Sequence, residues 1–288
     1  MKLGISIFDT DRAIHPAEFA RAVEDRGFDA LYLPEHSHIP VSRKTPWPGS
    51  PPGKNLPLPD YYPRLNDQIV ALSMAGAVTD RIELGTSVTL LPQHDPIWMA
   101  KQIATLDHLT NGRVVFGVGY GWNNEQGESH GVSFTSRRPR FEEYLATMRA
   151  LWTENEATFI GEYVQLEPSW CYPKPSQPGG PPIIVGGTGP RTFDAIARCA
   201  DGWMPITGRA SILKPLAALR EAFERHDRDP DSIQVVIAGA TTDPDGLRNL
   251  ESEGVGRAFL NIWSEDRDAI LNTMDEYTVV LDQFRGSA

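Results

Sequence analysis

The sequence predicts an α/β fold, a closed (β/α)8 TIM barrel with insertions after strands 2 and 4. Three observations predict it. Short apolar runs of strand type recur at 2–8, 29–34, 82–91, 113–118, 182–186, 202–206, 232–238 and 256–262, each followed by a stretch of helical character. In the unit spanning 81–125 the connections are so short that its two strands must be parallel and joined by a right-handed crossover. Eight such units in one chain form the pattern of a barrel, whose chemistry lies at the C-terminal ends of the strands.

Taken in order, the elements support this. Residues 2–8 are a β-type run, and 15–26 carries Phe19, Ala22 and Val23 at helical spacing before Gly27 caps it. Ala30-Leu31-Tyr32-Leu33 is the second strand. Residues 34–63 then hold nine prolines, with Trp47, Tyr61 and Tyr62 among them. So many missing N–H donors forbid helix and ladder alike, and the alternation resumes at once with a helix over 65–79, so the segment reads as a lid. Strand 82–91, helix 97–108, a turn at Asn111-Gly112 and strand 113–118 follow. Helix 137–155 presents Phe141, Tyr144, Leu145, Met148, Leu151 and Trp152 on one face. An insertion, 155–181, contains an alternating hairpin pattern over 157–166. The last four strands pair with helices 191–200, 212–226, 244–253 and 266–284, and residues 1–288 read as one domain.

Composition narrows the function. Hydrophobic residues at 40% are enough for a sizeable core, and a net charge of −11 argues against nucleic acid or an anionic membrane surface as partner. No apolar run reaches the length of a membrane span, and no secretory leader pattern opens the chain. Cys171 and Cys199 have no spacing that suggests a zinc site or disulfide framework. A cytoplasmic enzyme acting on a small-molecule substrate is the expectation.

The strand-end rule selects Phe8-Asp9, Glu35-His36-Ser37-His38, Ser87-Val88, the run Gly119-Tyr120-Gly121-Trp122-Asn123-Asn124, the loop 186–191, Thr207 and Trp263. His36-Ser37-His38 invites a metal, with His94, Asp95 and His130 as possible neighbours, but no further ligand set at fixed spacing completes a site. A histidine titrating near neutrality suits proton transfer, against the alternative of a structural ring. The glycine run 117–121 is no dinucleotide fingerprint, because Trp122-Asn123-Asn124-Glu125-Gln126-Gly127 is a poor helix start. Gly186-Gly187-Thr188-Gly189-Pro190-Arg191 joins a strand to a helix, and its backbone N–H groups, the positive helix end and Arg191 suit an anion such as a phosphate; a plain βα turn is the alternative.

The run LLPQHDPIWMAKQIATLDHLTNGRVVFGVGYGWNNEQ, the Glu35-His36 pair, the loop GGTGPRTF and the sequence ARCADGW resemble the bacterial luciferase-like superfamily over about residues 1–265. They most resemble its F420-dependent oxidoreductase branch. That resemblance implies coenzyme F420, alternatively FMN, at the barrel mouth. It implies a non-prolyl cis peptide at Ser87-Val88 that props the ring. Gly119, Tyr120, Gly121, Trp122 and Asn123 would border the ring, and Gly186, Gly187, Thr188 and Arg191 would hold the phosphate. His36, with Glu35 beside it, would handle the proton. Trp47, Tyr61 and Trp98 would face an apolar or planar substrate, and barrel helices would form a homodimer. Arg43, Lys44 and Lys54 on the lid would meet the cofactor's polyglutamate tail or simply be solvated. One departure stands out: some F420 dehydrogenases carry a glutamate where this chain has Trp122, which tells against a glucose-6-phosphate-type mechanism. The function implied is hydride transfer between F420 and an organic substrate. The alternatives are an FMN-dependent monooxygenase, a non-catalytic flavin-binding barrel and, more distantly, a metal-dependent hydrolase.

Overall fold

A computed structural model describes residues 1–51, 53–54, 56–206 and 212–286. Eight parallel strands close on themselves: β1 (Lys2–Ile7), β2 (Ala30–Leu33), β3 (Glu83–Thr86), β4 (Val114–Val118), β7 (Ile183–Gly186), β8 (Gly202–Met204), β9 (Gln234–Ala238) and β10 (Arg257–Ile262), with β10 pairing back to β1. Around them lie α1 (Pro16–Asp25), α2 (Gln68–Gly76), α3 (Pro96–Leu109), α4 (Asn124–Ser129), α5 (Arg137–Thr153), α6 (Pro190–Cys199), α7 (Leu213–Arg225), α8 (Pro244–Ser252) and α9 (Arg267–Arg285). The insertion after α5 forms an antiparallel hairpin, β5 (Ala157–Ile160) and β6 (Gln165–Ser169).

The period-two alternation of each strand divides the apolar residues between two cores. Leu3, Ile5, Leu31, Leu33, Phe116 and Val118 face the helices. Ala30, Tyr32, Val115, Ile184, Met204, Val236 and Phe259 fill the barrel, where the Tyr32 and Phe259 rings stack at 4.5 Å. Below that layer Glu83 and Arg257 form an ion pair at 2.8 Å, joined by Gln234 and Lys2. Asp67, Asp95, Asn123, Asp243 and Asp266 each accept an N–H from the first turn of the helix that follows, so short polar residues at strand exits start the helices.

Several expected boundaries move. The strand expected over 82–91 stops at Thr86: the Ser87-Val88 peptide is cis, Thr89 rejoins β4 through a bridge to Val118, and 91–93 is a 3-10 turn. The helix expected over 65–79 begins at Gln68, after a separate turn at 62–64. The supposedly poor helix start after Trp122 does open a helix, because Asn123 Oδ1 accepts from Gln126 N at 3.2 Å. Thr207 lies outside the described residues. Among those described, no helix is long and apolar enough to cross a membrane.

Candidate active site

The exits of β3, β4 and β7 meet at Val88. Ser87 N donates to Leu33 O at 2.8 Å on the β2 side, while Thr89 N donates to Gly117 O and Thr89 O accepts from Gly119 N, both at 2.9 Å, on the β4 side. Gln68, fully buried, braces the bend: its amide donates to Leu33 O at 2.6 Å and accepts from Thr89 Oγ1 at 2.7 Å. Two glycines make room for the Val88 side chain. A Cβ at 119 would stand 2.7 Å from Val88 Cγ2, and one at 186 would stand 3.3 Å from Cγ1. Val88 packs from above on the barrel's inner core.

Beside this seat lies a chain of rings. Phe8 contacts Tyr61 at 4.5 Å, Tyr62 at 5.2 Å and Trp263 at 5.5 Å; Tyr61 stacks on Tyr62; and Tyr62 meets the edges of Trp122 and Trp47. Trp47 Nε1 donates to Tyr62 OH at 2.9 Å, so the proline-rich segment after β2 brings one of its own rings to the mouth. Glu125 of α4 ties that segment down by accepting from Thr45 Oγ1 at 2.7 Å and from Lys44 N at 2.8 Å; these bonds, Thr45 foremost, bring its carboxyl down to about 2. Just beyond its far end the chain is tied to the β1 exit, where Thr10 bridges Leu65 and Asn66 N donates to Asp9 O.

His36 lies in the same cluster, 8% exposed, with its ring 5.3 Å from Tyr62 and 5.7 Å from Trp122. Trp122 Nε1 donates to its Nε2 at 3.2 Å, and its Nδ1 is 2.7 Å from Gln126 Oε1. Burial lowers its pKa, against the opposing pull of Gln126 and Glu35. Glu35 faces the other way: it accepts from Leu90 N and bonds His94 Nε2 at 2.7 Å, bracing the loop after β3. Burial works against a charged His94, but its Glu35 bond and charge outweigh that and raise its pKa. Asp9, two residues past β1 and 4% exposed, has neither carboxylate oxygen in a well-formed hydrogen bond, and burial raises it to about 6 against the weaker opposing pull of Asn66 and His15. Asn123, 3% exposed, has an unpartnered Nδ2.

The loop after β7 keeps the geometry expected of it. Gly187 and Gly189 have φ of 108° and 117°, which only glycine adopts readily, and α6 starts at Gly189 with no side-chain cap. Gly187 O accepts from Trp203 Nε1 at 2.7 Å. Thr188 lies in the same loop, and Arg191 is exposed in the first turn of α6.

Two expected contacts are not made. Tyr120 packs its ring against Phe141 of α5 at 4.5 Å, with Arg138 over it at 4.4 Å, because strand alternation turns it to the helix side of β4 while Gly119 faces inward. Trp98 is 67% exposed on the first turn of α3 and, among the described residues, joins none of the ring contacts of the mouth. Gly121, with φ of 78°, turns the chain and accepts from Arg137 at 2.8 Å. Gln68 and Gln126 are the residues that sequence reasoning missed; an isolated glutamine carries no motif.

The family model for luciferase-like monooxygenases matches residues 9–243. A protein of Mycobacterium tuberculosis with no assigned activity is 44% identical over 271 residues, which cover 93% of this chain and 94% of that one. An F420-dependent glucose-6-phosphate dehydrogenase of Nakamurella multipartita is 30% identical over 236 residues, 77% of this chain and 61% of the dehydrogenase. Among solved structures, a monooxygenase from Streptomyces bottropensis has a TM-score of 0.78 at 19% identity over 98% of both chains. An F420-dependent secondary alcohol dehydrogenase, in complex with an F420-acetone adduct, has 0.76 at 18% over 99% of both. At those identities the two structures speak for the barrel alone.

Proposed function

The chain belongs to the luciferase-like monooxygenase family, and on that premise we propose that it is an F420-dependent oxidoreductase moving a hydride between the deazaflavin and an apolar or planar organic substrate. The observation that carries this reading is the meeting, at one barrel mouth, of a seat for a flat ring and a buried histidine: Val88 between Gly119 and Gly186, and His36 against Trp122. The F420-dependent dehydrogenase among its relatives supports the choice of cofactor.

The residues present fit such a group. Val88 offers its side chain as the floor. Asn123 Nδ2, buried without a partner, supplies a donor for a ring carbonyl. Gly186, Gly187, Thr188 and the uncapped start of α6 supply backbone N–H groups for a phosphate, with Arg191 adding charge. When bound, the deazaflavin supplies the hydride chemistry. The chain's own residues do the rest: His36 takes up and returns a proton at Nε2, Glu35 braces the neighbouring loop through Leu90 and His94, and Phe8, Tyr61, Tyr62 and Trp263 form an apolar wall for the substrate. The lid, pinned by Glu125 and carrying Trp47, keeps water out.

Titration with F420 and with FMN, followed by absorbance and intrinsic fluorescence, tests the reading. F420 is expected to bind, and Arg191→Ala to weaken it on the order of tenfold through loss of a charge-assisted contact. Tight FMN binding with no F420 binding overturns it in favour of a monooxygenase. Binding without turnover of any alcohol or carbonyl substrate favours a non-catalytic barrel.

A homodimer through α2 and α3 completes the proposal. Their outer faces leave Val70, Met74 and Leu109 exposed around a groove of about 640 Å³ that also includes Ile69 and Leu106, an apolar surface suited to a copy of itself. Sedimentation should show a dimer that Leu109→Glu dissociates; a monomeric parent chain removes this part.

A further inference from the structure

We propose that Gln126 is a positioning residue that holds His36 in its Nδ1–H tautomer, leaving the Nε2 lone pair as the proton-accepting atom of the mouth. This rests on the reading of His36 as the proton-handling residue and adds to it the residue that sets which nitrogen does the work.

The polarity follows from donor and acceptor inventories alone. An indole N–H only donates, so the Trp122 bond at 3.2 Å requires a bare lone pair on His36 Nε2. A neutral imidazole with Nε2 bare carries its hydrogen on Nδ1, and the partner 2.7 Å away must then be an acceptor, which fixes the Gln126 amide with Oε1 toward the ring. Its Nε2 is left to donate to Ser37 Oγ at 3.3 Å, and the Ser37 hydroxyl proton is free to point at His130 Nε2, 2.8 Å away, or His38 Nδ1, 3.1 Å away. Every bond in the chain points outward from Trp122 to the surface. Gln126 has little freedom to reverse it: the residue is fully buried, and its own N–H is held by the Asn123 cap.

An amide at this position differs in kind from a carboxylate. It accepts a hydrogen bond from Nδ1–H in the same geometry but offers no charge to an imidazolium. The other groups facing the ring do not replace that charge. Glu35, on the same segment, is engaged by His94 and Leu90 N; His38 is a potential like charge; the connection after β2 contributes the Tyr62 ring; and Arg43, itself a cation, lies over the Trp122 ring at 5.7 Å. Burial pushes in the same direction. The ring therefore rests neutral, and a substrate proton is taken up only when its donor displaces the indole from Nε2.

The test reads the tautomer directly, in the full-length protein without cofactor. The chain has seven histidines, so selective 15N-histidine labelling and long-range 1H–15N correlation resolve them, with His36→Asn assigning the ring. The expected result is protonated Nδ1 and bare Nε2 in the parent protein, kept in Trp122→Phe, where Gln126 alone remains, and lost to a tautomer mixture in the double variant Trp122→Phe/Gln126→Met. Gln126→Glu, which keeps the acceptor and adds charge, should retain the tautomer and raise the proton affinity of His36 about tenfold or more. An Nε2–H ring in the parent protein or in Trp122→Phe overturns the proposal, as does an unchanged tautomer in the double variant. If Gln126→Glu moves the titration of His36 and the pH profile of turnover stays where it was, the positioning role stands and the proton role of His36 falls.

Discussion

The charged side chains buried at the two ends of the barrel are treated in opposite ways. At the N-terminal end of the strands, Glu83 and Arg257 point into the barrel, and each finds its partner: the carboxylate accepts from Arg257 Nε at 2.8 Å and from Lys2, while Arg257 also reaches Gln234 at 2.8 Å. At the C-terminal end, Asp9, Asn123, Tyr120 and Arg140 have buried polar atoms with no hydrogen-bond partner among the described residues; Tyr32 in the barrel interior and Glu253 ahead of β10 also have one each. A matched ion pair closes one end and stabilises it; unmatched groups at the other are costly unless a ligand or proton satisfies them. That contrast is what a barrel enzyme requires, with stability invested below and chemistry held open above.

The largest expected effect breaks the closed end. Glu83→Ala strands Arg257 in a nearly buried position and should cost about 3 kcal/mol or more in denaturant unfolding, while the titration of His36 at the other end stays unchanged. A comparable loss from removing Asp9 would show the two ends to be alike. The pH dependence separates them further. Burial works against the Glu83 carboxylate, but Arg257 and Lys2 outweigh it and lower its pKa. Its contribution is therefore fully present above the ordinary glutamate value and is lost as pH falls below that value through the lowered one.

Asp9 has the reverse sign. Its pKa rises from 3.8 to about 6, so the folded chain binds the proton more tightly and loses stability as pH climbs between those values. Asp9→Asn should accordingly stabilise the protein at pH 8 by up to about 3 kcal/mol, with little change at pH 4, as read from melting curves at the two pH values. A destabilised variant at pH 8 would mean that the carboxylate has a partner in solution.

The smallest effect sharpens the open end. Trp122→Phe removes the N–H that occupies the lone pair of His36 Nε2, a bond that favours the neutral ring. The His36 pKa should rise by roughly half a unit, with less than about 1 kcal/mol change in stability. A fall in that pKa would mean that the indole acts on His36 through something other than this bond.

Much of this was legible in the chain. Short apolar runs, each followed by a helical stretch, located all eight strands, and the strand-end rule then put Glu35, His36, Ser87, Val88 and the 186–191 loop at one mouth. The nine prolines of 34–63 marked a long irregular connection because they exclude regular structure whatever surrounds them. Expectation failed where facing had to be known. Tyr120 and Gly119 are neighbours in sequence, and the pleat sends one to α5 and the other to Val88. Trp98 is an aromatic residue at a strand exit by position, yet the first turn of α3 turns it to solvent. Asn123 caps a helix that its poor following sequence argued against.

The sequence by itself determined the order and number of the strands, hence the barrel, its mouth and the long proline-rich connection after β2, because those depend on local preference and on the spacing of apolar residues. Only the tertiary structure decided which polar groups meet. His36 and Gln126 stand 90 positions apart, and Glu83 and Arg257 stand 174 apart. Such pairs leave no local trace, since a glutamine or a glutamate has the same backbone preferences whether its partner is water or an imidazole; only the pairing of β3 with both β2 and β4 brings the exits of β2 and β4 within reach of one hydrogen bond.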